Sequence, residues 1–307
     1  MEQKKLENTM FIGNGFSRTI FQNMPSWGEL FEGGDSSIEN YTILYEISRL
    51  NSGKQGKNEE TIKSELIRRI EATFSKNNIN KDINELEEFG ENLCKHNVNN
   101  IITTNYDGGI ELILCHICGY EIDTPKEMVS EKIYSIRTYK ILTNKKTGHS
   151  VKLWKIHGEL ERIPSITLGF DQYCGSLAKV MAYVKGTYNS SQKNKDVKCT
   201  MNMKEKCMSQ KFDNLSWVEL FFKTNIYIVG FGMDFSEIDI WWLLNKRARF
   251  MLEITGIRNT ITYLNNPDYE NEKVKTAIFA TLKAFQVTTS SIVADDNYIS
   301  NIFEKIK

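Results

Sequence analysis

A short polar run after a predicted buried strand carries side chains suited to chemistry. Two isoleucines and two threonines precede Asn105 and Asp107, and apolar residues then return at helical spacing. This order predicts a strand over 99–104, a turn, and a helix over about 109–118. The Asn105 amide both donates and accepts hydrogen bonds, so it can orient a water molecule or a sugar hydroxyl. The pattern alone also fits a plain turn in which Asp107 only caps the helix.

A histidine, His157, follows another predicted strand, at 151–156. Imidazole titrates near neutral pH, so His157 can act as a general base toward a hydroxyl or a water. It is one of four histidines in the chain, and a histidine at a strand end is commonly only hydrogen-bonded. Asn105 and His157 are therefore the candidate catalytic residues, each with a purely structural alternative.

Two glycine-containing turns follow predicted strands at 9–12 and 226–229. The first comprises Gly13, Asn14, Gly15, Phe16 and Ser17, and the second begins with Gly230, Phe231 and Gly232. A strand that enters such a turn and then a helix can present backbone N–H groups to a phosphate. Glycine turns also occur as ordinary punctuation between elements, and Phe231 is also typical of a core position.

The residues after the second glycine turn predict a helix start. Residues 236–239 resemble a capping box for a helix over 240–244, so Ser236 and Asp239 are assigned to capping rather than to ligand binding. Trp241 and Trp242 are assigned to the core. A further strand, at 260–264, ends in Asn265, which joins the candidate ligand-binding residues.

The alternation of strands and helices predicts an α/β fold, with a Rossmann-like, mostly parallel sheet and helices on both faces. Parallel strands end at one edge of a sheet, so the polar strand ends are expected to share a nucleotide site. A single domain of 307 residues is expected. Its core covers about 9–18, 99–158 and 224–290, and insertions at about 19–98 and 159–223 include a smaller, mainly helical cap.

The insertions carry several local predictions. Helices are expected over 43–50 and 62–70, the latter continuing to Phe74, and over a segment after Asp82 that carries Leu86, Phe89 and Leu93. Ser26 is expected to cap a helix in the turn at 25–30, and 51–58 is expected to be a loop. Strands are expected at 133–136 and 139–142, with a hairpin turn at 144–148. Residues 189–211 are expected to form a mobile loop, and the basic bias of 185–211 is assigned to a solvated face.

Composition narrows the function classes. Lys and Arg together number 39, as do Asp and Glu, so overall charge gives no reason to expect direct nucleic-acid or membrane binding. No secretory signal or spanning segment is evident, and a cytoplasmic protein is expected. Among the six cysteines only Cys115 and Cys118 have CxxC spacing, within the predicted helix; reduced thiols are favoured over zinc, and no metal is expected.

The order of the strand-end motifs resembles the Sir2-like superfamily, and specifically its bacterial NAD-consuming branch. That family carries an early G-A-G-x-S, a T-x-N-x-D, an H-G and a late G-[FY]-[GS]. The corresponding residues here are 13–17, 103–107, 157–158 and 230–232. The resemblance covers about residues 9–290. Two departures separate the chain from the family's protein deacylases: no four-cysteine zinc ribbon lies between His157 and Gly230, and Thr104 stands where deacylases have Gln. The bacterial defence-type branch shares both.

The resemblance implies an NAD+ glycohydrolase that releases nicotinamide and ADP-ribose, with NAD+ as substrate, and depletion of NAD+ in anti-phage defence. It implies catalytic roles for Asn105 and His157. The implied NAD+-binding residues are Gly13, Asn14, Gly15, Phe16, Ser17, Thr103, Thr104, Asp107, Gly230, Phe231, Gly232 and Asn265. A protein deacylase or ADP-ribosyltransferase, and a non-catalytic NAD- or ADP-ribose-sensing module, remain as alternatives. Restraint of a toxic enzyme implies a homo-oligomer, a separate activating or sensor protein, or both.

Overall fold

The computed structural model describes residues 6–22, 24, 30, 40–71, 79–123, 131, 133–192, 195–199, 201–266 and 272–307. Within them the strands are β1 (Asn8–Ile12), β2 (Val98–Thr103), β3 (Tyr120–Asp123), β4 (Lys140–Asn144), β5 (Ser150–Lys155), β6 (Asn189–Gln192), β7 (Lys195–Lys198), β8 (Asn225–Val229), β9 (Ile261–Asn265) and β10 (Thr288–Ser291). The helices are α1 (Asn14–Ile20), α2 (Tyr41–Lys54), α3 (Glu59–Glu71), α4 (Ile83–Lys95), α5 (Gly109–His116), α6 (Phe170–Lys185), α7 (Met203–Ser209), α8 (Leu220–Lys223), α9 (Ile238–Glu253), α10 (Glu272–Ala284) and α11 (Tyr298–Phe303).

Eight strands form one sheet in the order β10-β9-β8-β1-β2-β5-β4-β3. The strands from β10 to β5 run parallel, and β4 and β3 extend the sheet antiparallel. The predicted mostly parallel α/β sheet is confirmed. Because β1 lies between β2 and β8, successive connections leave it in opposite directions, which opens a crevice at the carboxyl ends of these strands.

The strand register places the polar strand ends in one row. Ile12 pairs with Thr103 on one side and with Val229 on the other. Thr103 pairs in turn with Lys155, and Val229 with Leu264. The residues that follow these five positions therefore emerge side by side along one edge of the sheet, as the sequence predicted for parallel strands.

Alternating side chains of the sheet build two separate cores. Phe11 of β1 points into a cluster with Trp154 and Ile228. Its neighbours Met10 and Ile12 point into a second cluster on the opposite face. Since successive residues of a strand face opposite sides, both faces must be covered by helices, as they are here. Each fully buried large apolar side chain contributes about 1.5–3 kcal/mol through its removal from water.

The inserted helices divide between a cap and the sheet. Side chains of α2 and α3 form a third cluster with residues of the loop before α6, with Tyr173 of α6 and with Tyr106 after β2. By contrast, α4 packs on the sheet through Leu86, Phe89 and Leu93. Its predicted cap is confirmed, because the Asp82 carboxylate accepts a hydrogen bond from the Asn84 N–H at 2.9 Å.

The helix predicted over about 109–118 is confirmed as α5, but the strand predicted at 133–136 is wrong. Residues 133–136 form bends rather than a strand, and the antiparallel partner of β4 is β3. The cause is a side chain: the carboxylate of Glu131 accepts hydrogen bonds from the backbone N–H groups of Ile136 and Arg137, which removes these amides from ladder pairing. Cys118 lies beyond the end of α5, where its thiol donates to the Leu86 carbonyl.

The described residues of 189–211, which were expected to form a mobile loop, include regular elements. The first of these is the β6–β7 hairpin and the second is α7. Asn202 and Glu205 form a reciprocal capping box at the start of α7, and Lys206 is fully buried in an ion pair with Glu219. Buried pairing of a lysine gave no signal in the local composition, which looked only polar and basic.

Other local predictions have mixed outcomes. The predicted hairpin turn between β4 and β5 is confirmed, whereas α2 continues to Lys54 through the first half of the predicted loop at 51–58. The predicted cap at Ser26 and the position of Phe74 lie outside the described residues. Among the described helices, none has the length and apolar character needed to cross a bilayer.

Candidate active site

A cavity of about 430 Å³ lies at the carboxyl ends of the parallel strands, within the size range of ligand pockets. The turns after β1, β2 and β8 form much of its wall, and the cap contributes residues including Asn40 and Tyr41. Eight predicted site residues line it: Asn14, Gly15, Thr104, Asn105, Asp107, Gly230, Phe231 and Gly232. The structure therefore brings three of the four polar strand ends to one cavity.

Six predicted site residues do not line this cavity: Gly13, Phe16, Ser17, Thr103, His157 and Asn265. Phe16 belongs to the core on one face of the sheet. Asn265 is buried at the end of β9, and its neighbour Asn266 reaches the cavity instead. The remaining four, Gly13, Ser17, Thr103 and His157, lie behind the lining residues. Ser17 and Thr103 accept hydrogen bonds from Asn105, which lines the cavity.

Asn105 is held in place from below. Its side-chain amide donates to the Ser17 hydroxyl at 3.1 Å, and its backbone N–H donates to the Thr103 hydroxyl at 3.0 Å. Asn105 is 7% exposed and lines the cavity. Among the described residues none donates to its Oδ1, so this acceptor is available for a ligand hydroxyl or a water. Ser17 and Thr103 thus fix the orientation of the asparagine.

Asp107 combines two features. One carboxylate oxygen accepts the Gly109 N–H at 2.8 Å, which satisfies an amide in the first turn of α5. Lys155 donates to the Asp107 carbonyl at 2.5 Å and forms an ion pair with Glu111 at 2.9 Å. Burial raises the pKa of Asp107 to about 6, although the Lys155 ammonium opposes that shift. Asp107 therefore satisfies this amide from the position before Gly108, the N-cap residue, and it also lines the cavity.

The two glycine turns pack backbone against backbone. The Gly13 N–H donates to the Val229 carbonyl at 2.9 Å, and the Gly15 N–H donates to the Gly230 carbonyl at 2.7 Å. Gly230 has φ +60°, and a Cβ there would lie 2.1 Å from the Phe16 nitrogen. These glycines serve loop packing. Because the Gly13 and Gly15 amides are used by protein carbonyls, they do not offer the phosphate donors expected from the sequence.

His157 lies in a buried charge cluster behind the cavity. It is 1% exposed. Its Nε2 lies 3.0 Å from Asp239 Oδ2, within hydrogen-bond distance. Its Nδ1 lies 3.2 Å from Glu237 Oε2, in a geometry that does not make a hydrogen bond. Glu237 is buried but lines the cavity, so it connects the histidine to the wall.

Hydrogen bonds from neighbouring hydroxyls complete this cluster. Ser176 of α6 donates to Asp239 Oδ2 at 2.6 Å, and Tyr41 of α2 donates to Glu237 Oε1 at 2.6 Å. Tyr41 and Tyr173 also share a short hydrogen bond between their hydroxyls. The ligand-type atoms of His157, Glu237 and Asp239 lie within 4.8 Å of one another, close enough for a metal ion. The His157 ring lies between the two carboxylates, with Nε2 within hydrogen-bond distance of Asp239 and Nδ1 facing Glu237.

Charge–charge interactions set the protonation states of the cluster. Burial alone would lower the pKa of His157, but Asp239 and Glu237 raise it to about 9. Burial and the neighbouring Asp239 raise the pKa of Glu237 to about 7, against the opposing effect of His157. The pKa of Asp239 is lowered, because its contact with the imidazolium outweighs burial. At neutral pH His157 is therefore protonated and cannot accept a proton.

The predicted capping box at 236–239 is wrong. Glu237 is the N-cap residue of α9 and makes no side-chain capping bond. The Ser236 hydroxyl accepts a hydrogen bond from the Asn40 side chain at 2.6 Å, while Asp239 faces His157. Acidic residues near a helix start have two possible uses, and sequence spacing does not distinguish a cap from a partner that is distant in the chain.

Several residues of the cavity were not expected from the sequence. They include Arg18, Asn40, Tyr41, Asp234, Phe235 and Glu237. Asp234 accepts from Asn40 at 3.0 Å, and exposed Phe235 stacks on Trp241. The described lining residues include one basic side chain, that of Arg18. They also include three acidic residues: Asp107, Asp234 and Glu237. Asp234 and Glu237 could have been found as acidic residues after a glycine-ended strand; Asn40 and Tyr41 carried no such signal.

No protein-family model matches this sequence, and a search of curated proteins finds no significant match.

Gly230 and Gly232 form a matched pair for testing the packing of the two turns. Gly230→Ala is expected to lower the free energy of unfolding by about 3 kcal/mol, because the new Cβ meets the Phe16 backbone at an unfavourable φ. Gly232→Ala is expected to leave it nearly unchanged, since a Cβ there meets nothing within 4 Å. Urea unfolding of both variants measures the difference. Equal losses would contradict this account of the interlocked turns.

The buried cluster predicts a pH-dependent stability. The folded protein keeps the His157 proton up to about pH 9, whereas the unfolded chain releases it near pH 6.5. The contribution of His157 is therefore fully present below pH 6.5 and is lost as pH rises through 9. Glu237, whose pKa is raised from 4.5 to about 7, acts in the same direction between those values.

Asp239→Asn tests the origin of this dependence. Without the second carboxylate the pKa of His157 falls, so stability should decline less steeply between pH 6.5 and 9 than in the wild type. Urea unfolding across that interval gives the slopes. His116→Gln, which removes an exposed histidine, is the control and should retain the wild-type slope. A wild-type slope in Asp239→Asn would show that the cluster does not hold the proton.

Proposed function

We propose that the protein is an NAD+ glycohydrolase that cleaves the bond between nicotinamide and ribose to give nicotinamide and ADP-ribose. The observation that carries the proposal is the convergence of residues 13–17, 103–107 and 230–232 around one cavity, with Asn105 on its wall. These turns hold three of the four motifs on which the resemblance to Sir2-like NAD-consuming enzymes rests.

The charged side chains of the cavity suit two parts of this substrate, the diphosphate and the nicotinamide ribose. Arg18 provides a cation for the diphosphate, a role that the Gly13 and Gly15 amides do not fill. Carboxylates of Asp107, Asp234 and Glu237 provide acceptors for ribose hydroxyls and negative charge for a pyridinium. A mixed set of this kind favours a zwitterionic dinucleotide over a purely anionic ligand.

The reaction needs few catalytic groups. As the glycosidic bond breaks, positive charge develops on the ribose, and nicotinamide departs as a neutral molecule. No general acid is required. The protein must hold the ribose, position a water and limit access of competing nucleophiles. The available Oδ1 of Asn105, fixed through Ser17 and Thr103, suits the placement of a water or a ribose hydroxyl.

The physiological role that goes with this proposal is depletion of NAD+ in bacterial anti-phage defence. Such an enzyme must be restrained in a healthy cell. The proposal therefore includes activation through a homo-oligomer or a separate activating or sensor protein.

Incubation of the purified protein with NAD+, followed by chromatography of nicotinamide, tests the proposal. Wild-type protein should release nicotinamide and ADP-ribose without a peptide or protein acceptor. Asn105→Ala should lower kcat by about 100-fold, because the positioned hydrogen bond is lost in the transition state. Asn99→Ala, at the opposite end of β2, is the matched control and should retain wild-type turnover.

Three outcomes have distinct meanings. Equal turnover in Asn105→Ala and wild type would remove Asn105 from the mechanism. Cleavage that depends on an acylated peptide or an acceptor protein would favour a deacylase or an ADP-ribosyltransferase. Thermal stabilisation by ADP-ribose with no product, at low and high protein concentration, would favour a sensing module.

A further inference from the structure

We propose that Glu237 is the catalytic base of this site and that His157 is a positioning residue that acts through it. The proposal rests on the proposed NAD+ hydrolysis and assigns the group that receives the proton of the attacking water. It reverses the role expected for His157 from the sequence.

Access separates the two residues. Glu237 lines the cavity, whereas His157 is 1% exposed and is not among the lining residues. One edge of the imidazole contacts Asp239 and another faces Glu237, while its ring meets the Tyr173 ring edge-on at 5.2 Å. The glutamate is therefore the member of this pair that borders the cavity, and the histidine lies behind it.

The carboxylate is held with one oxygen unpaired. Oε1 accepts the Tyr41 hydroxyl at 2.6 Å. Oε2 is buried and has no hydrogen-bond partner among the described residues, although it lies 3.2 Å from the imidazole Nδ1. A buried carboxylate oxygen that accepts no hydrogen bond is uncommon, even beside a cation, and such an exception calls for an explanation. A water or substrate hydroxyl entering from the cavity would supply the missing donor.

The surrounding charges keep this carboxyl group usable as a base near neutral pH. The titratable groups that face it are His157 after β5, Asp239 on α9, Asp234 in the preceding turn, and the hydroxyls of Tyr41, Tyr106 and Tyr173. Burial, Asp239 and Asp234 raise the pKa of Glu237, while the imidazolium and Tyr41 lower it, and the result is about 7. A base with a pKa near the working pH is effective in proton transfer.

The proposed step balances as follows. The bond between ribose C1′ and the nicotinamide nitrogen breaks, and both electrons leave with neutral nicotinamide. The oxygen of a water forms the new bond to C1′, and the water proton passes to Glu237 Oε2. The proton returns to solvent after ADP-ribose departs. The ionised carboxylate also stabilises the positive charge that develops on the ribose.

His157 has a different task in this arrangement. Its imidazolium lies between two carboxylates, so it offsets their mutual repulsion and keeps Glu237 from retaining its proton at neutral pH. Asp239, held by Ser176, in turn fixes the ring. Loss of the imidazolium should therefore shift the pH dependence of turnover without removing the base.

The decisive experiment compares pH profiles of NAD+ hydrolysis in wild type, Glu237→Gln and His157→Gln. Wild-type kcat should rise along a limb near pH 7. Glu237→Gln keeps an acceptor for Tyr41 but cannot take a proton, so kcat should fall by about 100-fold or more while KM changes little. His157→Gln should retain measurable turnover, with its limb displaced to higher pH.

Two further variants protect the conclusion from a folding artefact. Glu253→Gln, at the exposed end of α9, should match the wild type in kcat and in its pH profile. Glu237→Ala should regain part of its lost kcat when formate is added, because a small carboxylate can occupy the vacated space. A purely structural glutamate would show neither this rescue nor a selective loss of kcat.

The results that overturn the proposal are specific. Wild-type kcat in Glu237→Gln, or abolished turnover in His157→Gln together with an active Glu237→Gln, would return the base to His157 or remove both residues from proton transfer. Absence of nicotinamide release from the wild type, both alone at any protein concentration and together with candidate activating proteins, would instead overturn the proposed NAD+ hydrolysis, and this proposal with it.

Discussion

The turns after β1 and β8 meet backbone to backbone, and the cavity depends on that contact. Two hydrogen bonds, from the Gly13 and Gly15 amides to the carbonyls of Val229 and Gly230, tie the turns together. A Cβ added at Gly13, Gly15 or Gly230 would collide with the backbone of the opposing turn. Because β1 and β8 also pair along their length, the turns at 13–17 and 230–232 form one continuous surface. Asn105, Ser17 and Phe231 take their positions from it.

A second constraint connects this surface to the cap. His157 follows β5, Asp239 and Glu237 begin α9, and Tyr41 begins α2, so a single polar cluster joins elements far apart in sequence. The charges inside it are nearly shielded from water, which makes their mutual orientation energetically important. His157 is 1% exposed, and Glu237, whose Oε2 lies 3.2 Å from its Nδ1, connects it to the cavity wall.

The sequence predicted the positions of those site residues that follow from the order of the strands. Parallel strands align their carboxyl ends, so the neighbouring positions of Asn105, Gly230 and Gly15 followed from the order of strands and turns alone. The interlock of the glycines was not predictable, because a G-x-G turn serves phosphate binding and loop packing equally well. The hydrogen bond from the Gly15 N–H to the Gly230 carbonyl identifies loop packing as the role of this turn, and it is visible only in the folded structure.

The site predictions that the structure contradicts concern side chains whose partners are distant in the chain. His157 looked like a catalytic base because imidazole titrates near neutral pH, but two carboxylates from the start of α9 hold its proton. Asp239 was assigned to helix capping and Glu237 received no assignment, since their partners His157 and Tyr41 lie 82 and 196 positions away in the chain. Short-range patterns cannot report such contacts, which arise when the cap and the sheet edge close around the cavity.

A structure determined with ADP-ribose, the expected product, tests the central claim most directly. The account predicts the diphosphate beside Arg18 and the terminal ribose between Asn105 and Glu237, with its C1′ hydroxyl within hydrogen-bond distance, about 2.5–3.2 Å, of the glutamate carboxylate. Binding of ADP-ribose outside this cavity, or a terminal ribose turned away from both side chains, would contradict it.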